Sequence, residues 1–251
     1  MRRPTTLEVD LHVHSEASYD GHEPVDLILE HAADIDLDAV VITDHDTIGA
    51  SVEAAEKASR YGLVGVPGVE ISTADGHLLG IGLEDMPAPG RPMAETVEAV
   101  RELGGAAVVP HPFQRTRHGV RKRRLKRVDP DAIETYNAWL FTGYRNRRAR
   151  RYATKYGYPA VGGSDAHSLL TVGRAYTEIT VDKALPEIES DDIVAAISNG
   201  DTGVRGQRAP IKRATGHYAK AAARKTAWGA RTALKKSVWG AKRTGSSVLS
   251  W

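Results

Sequence analysis

The sequence predicts an α/β fold, in which short strands alternate with helices along most of its 251 residues. One observation is a set of short apolar runs, such as AVVIT at 39–43, which have the length of strands covered on both faces of a sheet. Another is the spacing of Val25, Ile28, Leu29 and Ala32, which lie on one face of a helix. Runs of these two kinds follow one another repeatedly, and this order favours either a barrel or an open sheet.

The predicted elements follow from these patterns in chain order. Residues 8–12 form a strand because apolar and polar residues alternate there. The other predicted strands are 39–43, 68–71, 77–83, 106–110, 132–136 and 159–163. The predicted helices are 24–34, 50–60, 93–103 and 190–198. Gly62 and Gly104 mark two helix ends, where glycine is favoured, and Ser190 is the predicted cap of the last helix.

The composition excludes several classes of protein. Hydrophobic residues make up 41% and charged residues 26% of the chain, so it is neither disordered nor collagen-like as a whole. The sequence has no apolar run of membrane-spanning length, and its N-terminus lacks the apolar stretch of a secretory signal. Cysteine is absent, which excludes disulfides, thiolate metal sites and cysteine nucleophiles. We therefore predict a cytoplasmic location.

Charge divides the chain into two parts. Residues 1–201 hold 22 basic and 32 acidic side chains, whereas residues 202–251 hold 12 basic and no acidic ones. The glycine-rich stretch at 200–210 predicts a boundary between a main domain at 1–200 and a basic, helical extension at 201–251. Trp228 and Trp239 lie nearly on one helical face of that extension. An anionic membrane or a nucleic acid is one predicted partner, and docking on the acidic main domain is the alternative.

Histidines and carboxylates recur at the C-terminal ends of the predicted strands. His12 and His14 end the first strand, and their spacing of two puts both rings on one face. Asp165 and His167, again two apart, follow the last strand. Glu70 ends another predicted strand, and His45 and His111 come just past strand ends. Asp20 follows the first strand after a short loop, and His77 lies on a later strand. The same ends carry the chemistry in α/β barrels, so the repetition indicates a shared site rather than scattered core histidines.

Around these residues the sequence resembles the PHP (polymerase and histidinol phosphatase) family of metal-dependent phosphoesterases. The motifs that carry the resemblance are LHVHSEASYDG, VITDHDT, PGVEIS with GHLLGIG, VVPHPF, and GGSDAHS followed by VGRAYTEI. They occur in the family's order over about residues 8–180. The resemblance implies a distorted (β/α)7 barrel of PHP type. The main domain at 1–200 is then a PHP catalytic domain, and the basic helical tail follows it.

The resemblance also implies that nine residues hold two to three divalent ions. In that arrangement His12, His14, Glu70 and Asp165 hold one ion, Glu70 with His77 and His111 a second, and Asp20, His45 and His167 a third. A mixed set of imidazoles and carboxylates suits Zn²⁺, Mn²⁺ or Fe²⁺ rather than Ca²⁺.

The function that this resemblance implies is hydrolysis of a phosphoester by a metal-bound hydroxide, with Glu70, Asp165 and His167 in the catalytic centre. A phosphomonoester or nucleotide is the first predicted substrate class. Exonuclease-type hydrolysis of short oligonucleotides is an alternative. A nucleic-acid-binding module that keeps its metals for structure alone is an alternative of another class.

Basic residues near these motifs predict contacts with phosphate. Arg115 and Arg174 are predicted to bind the substrate phosphate, with Arg117 as a further candidate, because arginine binds phosphate through two parallel hydrogen bonds. The runs 115–127 and 145–151 contain 8 and 5 basic residues and no acidic ones. They indicate a nucleic acid or another polyanion as a partner, and a solvated face is the alternative.

Several further polar residues and histidines lie outside the predicted ligand set. Asn137 contacts either the substrate or a ligand, or has a purely structural role. Asp44 is predicted to form hydrogen bonds behind the metal ligands. Four histidines fit no ligand position: His22, His31, His118 and His217.

Overall fold

A computed structural model describes residues 4–140 and 143–206 of the chain. The strands found there are β1 (Thr5–Val13), β2 (Ala39–Ile42), β3 (Gly68–Thr73), β4 (Gly76–Ile81), β5 (Ala106–Val109), β6 (Ala132–Asn137), β7 (Ala160–Gly163), β8 (Ala175–Val181) and β9 (Thr202–Gly206). The α-helices are α1 (Val25–Asp34), α2 (Gly49–Ala58), α3 (Met93–Glu102), α4 (Lys122–Leu125), α5 (Gly143–Tyr156) and α6 (Ser190–Asn199). The mixed α/β fold is thereby confirmed.

The strands form two sheets, with the orders β2-β1-β8-β9 and β3-β4-β5-β6-β7. β1 is parallel to β2, and β5, β6 and β7 are parallel to one another. β4 is antiparallel to both β3 and β5, and β8 is antiparallel to both β1 and β9. The parallel pairs are joined through helical connections, whereas the β3–β4 pair is joined by a tight turn, as strand direction requires.

The two sheets face each other across a common core. Val9 and Ile179 of the four-stranded sheet lie in the same buried cluster as Leu79, Val108 and Val161 of the five-stranded sheet. The sheets also meet at their edges, through isolated parallel bridges that join His45 to Glu70 and Val13 to Ala166. Among the described residues, however, no continuous ladder of backbone hydrogen bonds closes the sheets into a barrel.

Helices cover the outer faces of both sheets. The apolar face of α1 is buried at Val25, Ile28, Leu29 and Ala32, as the helical spacing predicts, and packs with α2 against the four-stranded sheet. Residues of α3 and α5 lie in a separate buried cluster with β3, β4, β5 and β6. The sheets are therefore covered on both faces, which explains why β2 and β5 are wholly apolar.

Several elements escaped the sequence prediction or differ from it, among them the short helix α4. α5 buries only Asn146, Ala149, Tyr152 and Ala153, so its arginine-rich sequence has no strong apolar period. β8 and β9 were not predicted, although β8 alternates buried residues with more accessible ones along its length. The prediction that Ser190 caps the last helix was wrong, because Glu189 occupies the cap position and forms a capping box with Asp192.

The four-stranded sheet extends beyond the predicted main domain at 1–200. β9 adds residues 202–206 to the edge of the four-stranded sheet through its pairing with β8. The predicted helical extension from residue 207 onward lies outside the described residues, and the division of the chain at residue 200 stays a prediction. No helix in the described part of the chain is long and apolar enough to cross a membrane. The cytoplasmic location stays a prediction.

Candidate metal centre

All nine residues of the predicted ligand set lie at one edge of the two sheets, and none is more than 7% exposed. The set comprises His12, His14, Asp20, His45, Glu70, His77, His111, Asp165 and His167. The strands that carry most of them have parallel directions where they pair, so their C-terminal ends meet at the same edge. The sequence prediction that these ends share one rim is confirmed.

Strand register brings Glu70 and His77 together, although β3 and β4 are antiparallel. Ser72 of β3 pairs with His77 of β4, and Glu70 lies two residues before Ser72 on the same face. The C-terminal half of β3 and the N-terminal end of β4 therefore reach the same edge. As a result, Nδ1 of His77 lies 2.8 Å from Oε1 of Glu70.

Glu70 is the centre of the cluster. Its Oε1 lies 2.8 Å from Nδ1 of His77 and 3.0 Å from Nε2 of His111. Its Oε2 lies 3.4 Å from Nε2 of both His12 and His14, and 3.2 Å from Nδ1 of His45. A single fully buried carboxylate thus faces five imidazoles, which is the arrangement expected of a ligand shared between ions.

Two further carboxylates extend the cluster on either side. Oδ1 of Asp165 lies 3.6 Å from Nε2 of His12 and 3.5 Å from Nε2 of His14. Oδ2 of Asp20 lies 3.1 Å from Nε2 of His167 and 3.3 Å from Nε2 of His45. His14 and His45 thus lie between the Glu70 group and these flanking carboxylates.

Divalent cations fit this donor set. Ring nitrogens of His12, His14, His45 and His111 and Oε2 of Glu70 are buried without a hydrogen-bond partner among the described residues. Two donor atoms on a tetrahedral ion at usual bond lengths lie about 3.3 Å apart, and the spacings around Oε2 of Glu70 agree with that value. The donors form four overlapping groups: His12, His14 and Asp165; His12, Glu70 and His111; His14, Asp20 and His45; and His45, Glu70 and His77.

The buried carboxylates and imidazoles of the cluster shift one another's pKa values. Burial alone would raise the pKa of Glu70, but the imidazoles of His77, His45 and His12 hold it well below its usual range. Burial alone would raise the pKa of Asp165 as well, but the guanidinium of Arg117 is the main cause that holds it well below its usual range. Burial lowers the pKa of His77 to about 4 despite the nearby Glu70. Glu70 and Asp165 are therefore held in the ionised form that binds metal, while Asp165 and Glu70 in turn raise the pKa of His12 despite its burial.

Glu134 of β6 supports two of the ligands, and the sequence analysis did not identify it. Oε1 of this buried residue lies 3.1 Å from Nδ1 of His12, and Oε2 accepts a hydrogen bond of 2.6 Å from the backbone N–H of His111. Nδ2 of Asn137 donates to both Glu134 and Asp165, at 2.9 and 3.0 Å, so Asn137 contacts a ligand as one interpretation had it. The available signal for Glu134 was an acidic residue inside the apolar strand AIETYN.

Hydrogen bonds also position the loop that follows β1. Asp44 accepts hydrogen bonds from the backbone N–H and the hydroxyl of Ser15, at 2.7 and 2.5 Å, which confirms its predicted supporting role. Ser18 donates to Asp20 at 2.8 Å, and the ring of Tyr19 stacks on His45 at 4.7 Å. The loop is therefore held by its own hydrogen bonds and by contacts with Asp44 and His45, which follow β2.

Two ligand positions have unusual backbone conformations. His111 and Asp165 have φ angles of 28° and 54°, in the left-handed region that disfavours side chains with a Cβ. Such a conformation costs of the order of 1–3 kcal/mol and persists where the surrounding structure enforces it, which is common at functional sites. Hydrogen bonds to Glu134 and Asn137 hold both residues in place here.

Of the arginines considered, Arg117 reaches the cluster. It is 8% exposed, and its Nη2 donates to Oδ1 of Asp165 at 2.8 Å. Arg115, on the same short 3-10 turn, is exposed, and no hydrogen bond joins it to the nine residues among the described positions. Nε of Arg174 donates to the backbone oxygen of Leu170 at 3.3 Å. The phosphate contacts predicted for Arg115 and Arg174 stay predictions.

Among the four histidines without a predicted role, His118 lies beside the cluster. Its ring stacks on that of His77 with centroids 5.2 Å apart, and its backbone oxygen accepts a hydrogen bond of 3.0 Å from the His77 N–H. His31 lies in the last turn of α1, and His22 lies in the loop before that helix. His217 lies outside the described residues.

Two family models match the chain. Residues 10–146 match the model described as PHP domain, and residues 143–202 match the model described as PHP-associated. The first match contains seven of the nine clustered residues, and the second contains the other two.

 The seven residues within the first match are His12, His14, Asp20, His45, Glu70, His77 and His111, and the two within the second are Asp165 and His167.

Comparisons with individual proteins agree with these matches. The protein MJ0417 of Methanocaldococcus jannaschii is 30% identical over 215 residues, which cover 77% of this chain and 84% of that protein. The 3',5'-nucleoside bisphosphate phosphatase of Chromobacterium violaceum is 34% identical over 99 residues, which cover 38% of this chain and 33% of that enzyme.

The fold resembles that of a solved two-domain protein from Bacteroides vulgatus, described as containing a predicted PHP-like metal-dependent phosphoesterase. The TM-score is 0.66 at 20% sequence identity, over 81% of this chain and 66% of the other. At this level of identity the similarity concerns the fold alone.

Proposed function

Because the chain belongs to the PHP family, we propose that it is a metal-dependent phosphoesterase whose catalytic centre is the cluster around Glu70. The observation that carries this proposal is a fully buried carboxylate with imidazole nitrogens of five histidines within 3.4 Å. A cluster of this kind is costly to bury without cations, because several donor atoms then face one another without hydrogen bonds.

We assign two to three divalent ions to the nine residues, with Zn²⁺, Mn²⁺ and Fe²⁺ as the candidates that suit the donor set. Glu70 would be shared between two ions, since its two oxygens face different imidazoles. Asp165 with His12 and His14 would complete one position, and His77 with His111 a second. Asp20, His45 and His167 form the third group of the family pattern.

Divalent ions bound there would lower the pKa of a coordinated water and neutralise charge on the oxygens of a phosphoester. The protein's own residues supply orientation and charge. Glu134 holds the ring of His12 and the backbone of His111 in place, and Arg117 adds a positive charge beside Asp165. We place Glu70, Asp165 and His167 in the catalytic centre, and Arg115 and Arg174 at the substrate phosphate.

A phosphomonoester or nucleotide is the substrate class we favour, and the similarity to a nucleoside bisphosphate phosphatase supports it. Hydrolysis of short oligonucleotides is the second candidate, because two basic runs adjoin the site. A non-catalytic binding module is disfavoured, since a purely structural site seldom needs donors for several ions.

We also propose that the two facing sheets represent a distorted (β/α)7 barrel. The shared buried cluster and the bridges at both sheet edges support this description. The gaps in backbone pairing at those edges account for the distortion.

Metal analysis followed by an activity screen tests the proposed function. The full chain is purified without chelators, its metal content is measured, and hydrolysis of a panel of phosphate esters is assayed with added Mn²⁺. We expect two to three ions per chain and turnover of at least one phosphomonoester or nucleotide. Tight nucleic-acid binding without metal and without turnover on any ester would support the binding module instead.

A further inference from the structure

The described residues carry a dense group of exposed cations outside the metal centre. This basic surface consists of Arg121, Lys122, Arg123, Lys126 and Arg127 around α4, and Arg147, Arg150, Arg151 and Lys155 on α5. None of these nine side chains forms an ion pair with an acidic group in the described part of the chain, whereas the neighbouring Arg124 lies 3.4 Å from Asp75. Their mutual repulsion is therefore not offset locally.

The two parts of the basic surface pack against each other. The ring of Phe113, which precedes α4, lies 5.6 Å from that of Tyr152 on α5, and the guanidinium of Arg148 lies 4.5 Å from the Phe113 ring centroid. Leu125 of α4 lies in the same buried cluster as Tyr152 and Ala153. Two runs separated along the sequence thus form one continuous charged region.

Neighbours of both parts contact a carboxylate of the metal centre. Arg117, five residues before Lys122, contacts Asp165 at 2.8 Å. Asn137 contacts the same carboxylate at 3.0 Å, and its backbone oxygen accepts a hydrogen bond from Asn146 of α5. The basic surface therefore begins at the edge of the site rather than at a remote part of the molecule.

We propose that this basic surface binds the backbone of a single-stranded nucleic acid, one phosphoester of which lies in the metal centre. The catalytic part of this proposal rests on the proposed function, whereas the binding part does not. α5 is about 21 Å long, enough to contact several successive phosphates. Tyr144 and Tyr156, near the two ends of α5, are 60% and 42% exposed. The Tyr156 ring lies 4.5 Å from that of Tyr152, so the ring of Tyr144 is the more accessible one for a base to stack on.

The composition of the surface favours nucleic acid over an anionic membrane. A helix that binds a membrane surface inserts large apolar side chains between the lipids. The exposed large hydrophobic residues of α4 and α5 in the described structure are the two tyrosines, and Leu125 is fully buried. Arginine predominates among the cations, and its planar guanidinium binds phosphate through paired hydrogen bonds.

Binding of a labelled oligothymidylate of about 20 nucleotides tests the proposal, since such a strand spans more than one binding site of ordinary size. The full chain is titrated by fluorescence anisotropy in EDTA, so that no hydrolysis occurs, and the salt concentration is varied. The test variant combines Arg147→Gln, Arg150→Gln and Arg151→Gln. The matched control combines Arg60→Gln, Arg91→Gln and Arg205→Gln, which removes the same charge from exposed positions elsewhere.

We expect the test variant to bind at least about tenfold more weakly at low salt. The slope of log affinity against log salt should fall by about 2, because each lost contact with a single strand contributes about 0.7. The control variant should retain the affinity and the slope of the original chain. Tyr144→Ser should weaken binding of the single strand by about fivefold or more and leave binding of a duplex unchanged.

Equal losses in the test and control variants would overturn the proposal, because net charge alone would then explain binding. Unchanged binding in the test variant would overturn it as well. If the test variant loses binding to phosphatidylserine vesicles but keeps binding to oligothymidylate, the partner of the basic surface is a membrane instead. The basic segment at 207–251 is present in every variant and adds to each equally.

Failure of this proposal is distinguishable from failure of the proposed function. If the original chain hydrolyses p-nitrophenyl phosphate and the test variant binds oligothymidylate with full affinity, the proposed function stands and the proposal for the basic surface fails. If the chain binds the strand through the basic surface but hydrolyses no ester, the proposal for the basic surface stands and the proposed function fails.

Discussion

The metal centre and the basic surface adjoin each other but differ in how their charges are held. The nine residues of the centre are at most 7% exposed, and strand register and hydrogen bonds fix them. The nine cations of the basic surface are exposed and lie on helices whose opposite faces are packed. Buried charges require partners in defined positions, whereas exposed charges are solvated individually. Substitutions should therefore affect stability and chemistry strongly in the first region and weakly in the second.

Of the changes considered, removal of the metals should have the largest effect on stability and turnover. Each ion held at 100 times its dissociation constant adds about 2.7 kcal/mol of stability, so two ions add about 5 kcal/mol. Dialysis against EDTA should abolish turnover and lower the melting temperature by about 10 °C or more. Differential scanning calorimetry measures this change, and re-addition of Mn²⁺ should reverse it. An unchanged melting temperature would show that the buried cluster is stable without cations.

Glu70→Gln tests the residue at the middle of the metal centre. The amide keeps the size of the side chain but removes the negative charge that two ions would share. We expect lower metal content and a loss of turnover of about 10²-fold or more. Glu56→Gln, at an exposed position on α2, is the matched control and should leave both unchanged. Full activity of Glu70→Gln would remove the basis of the mechanism.

Glu134→Gln should have a smaller effect, because Glu134 orients ligands and is not itself assigned to an ion. Its contacts with His12 and the His111 backbone correspond to supporting interactions whose loss usually costs about 10- to 100-fold in metal affinity or activity. Metal titration of the apoprotein measures the effect directly. Wild-type metal affinity in this variant would show that Glu134 does not position the ligands.

Helix α5 allows a buried and an exposed side chain to be compared within one element. Asn146→Ala leaves the backbone N–H and C=O of Asn137 without their side-chain partner and should lower the free energy of unfolding by about 1–3 kcal/mol. Arg150→Gln, one turn along on the exposed face, should change it by no more than about 0.5 kcal/mol. Urea unfolding of both variants measures the difference. Equal destabilisation would mean that the exposed arginines contribute to folding.

The sequence predicted the metal centre better than the surface around it. A spacing of two along a strand fixes which residues share a face, so His12 with His14 and the ends of the parallel strands followed from the pattern alone. The resemblance to the PHP family supplied the full set of nine residues, and most of them come together because they lie at or just after strand ends that meet at one edge.

Features that depend on tertiary packing were not predictable in this way. Glu134 is an ordinary acidic residue in the sequence, and only the approach of β1 and β5 to β6 makes it a partner of His12 and His111. α5 shows no apolar period, because polar Asn146 and the aromatic Tyr152 provide much of its buried face. Arg117 and Arg115 are equivalent in sequence, and the 3-10 turn that contains them leaves one buried and the other exposed.

The most direct test of the central claim is an anomalous-scattering map from crystals of the full chain grown with Mn²⁺. We predict two to three peaks at the edge of the sheets, two of them on either side of the Glu70 carboxylate and each within about 2.3 Å of the donor atoms assigned to it. The absence of any peak beside Glu70, or peaks confined to other parts of the molecule, would contradict the assignment of this cluster as the metal centre.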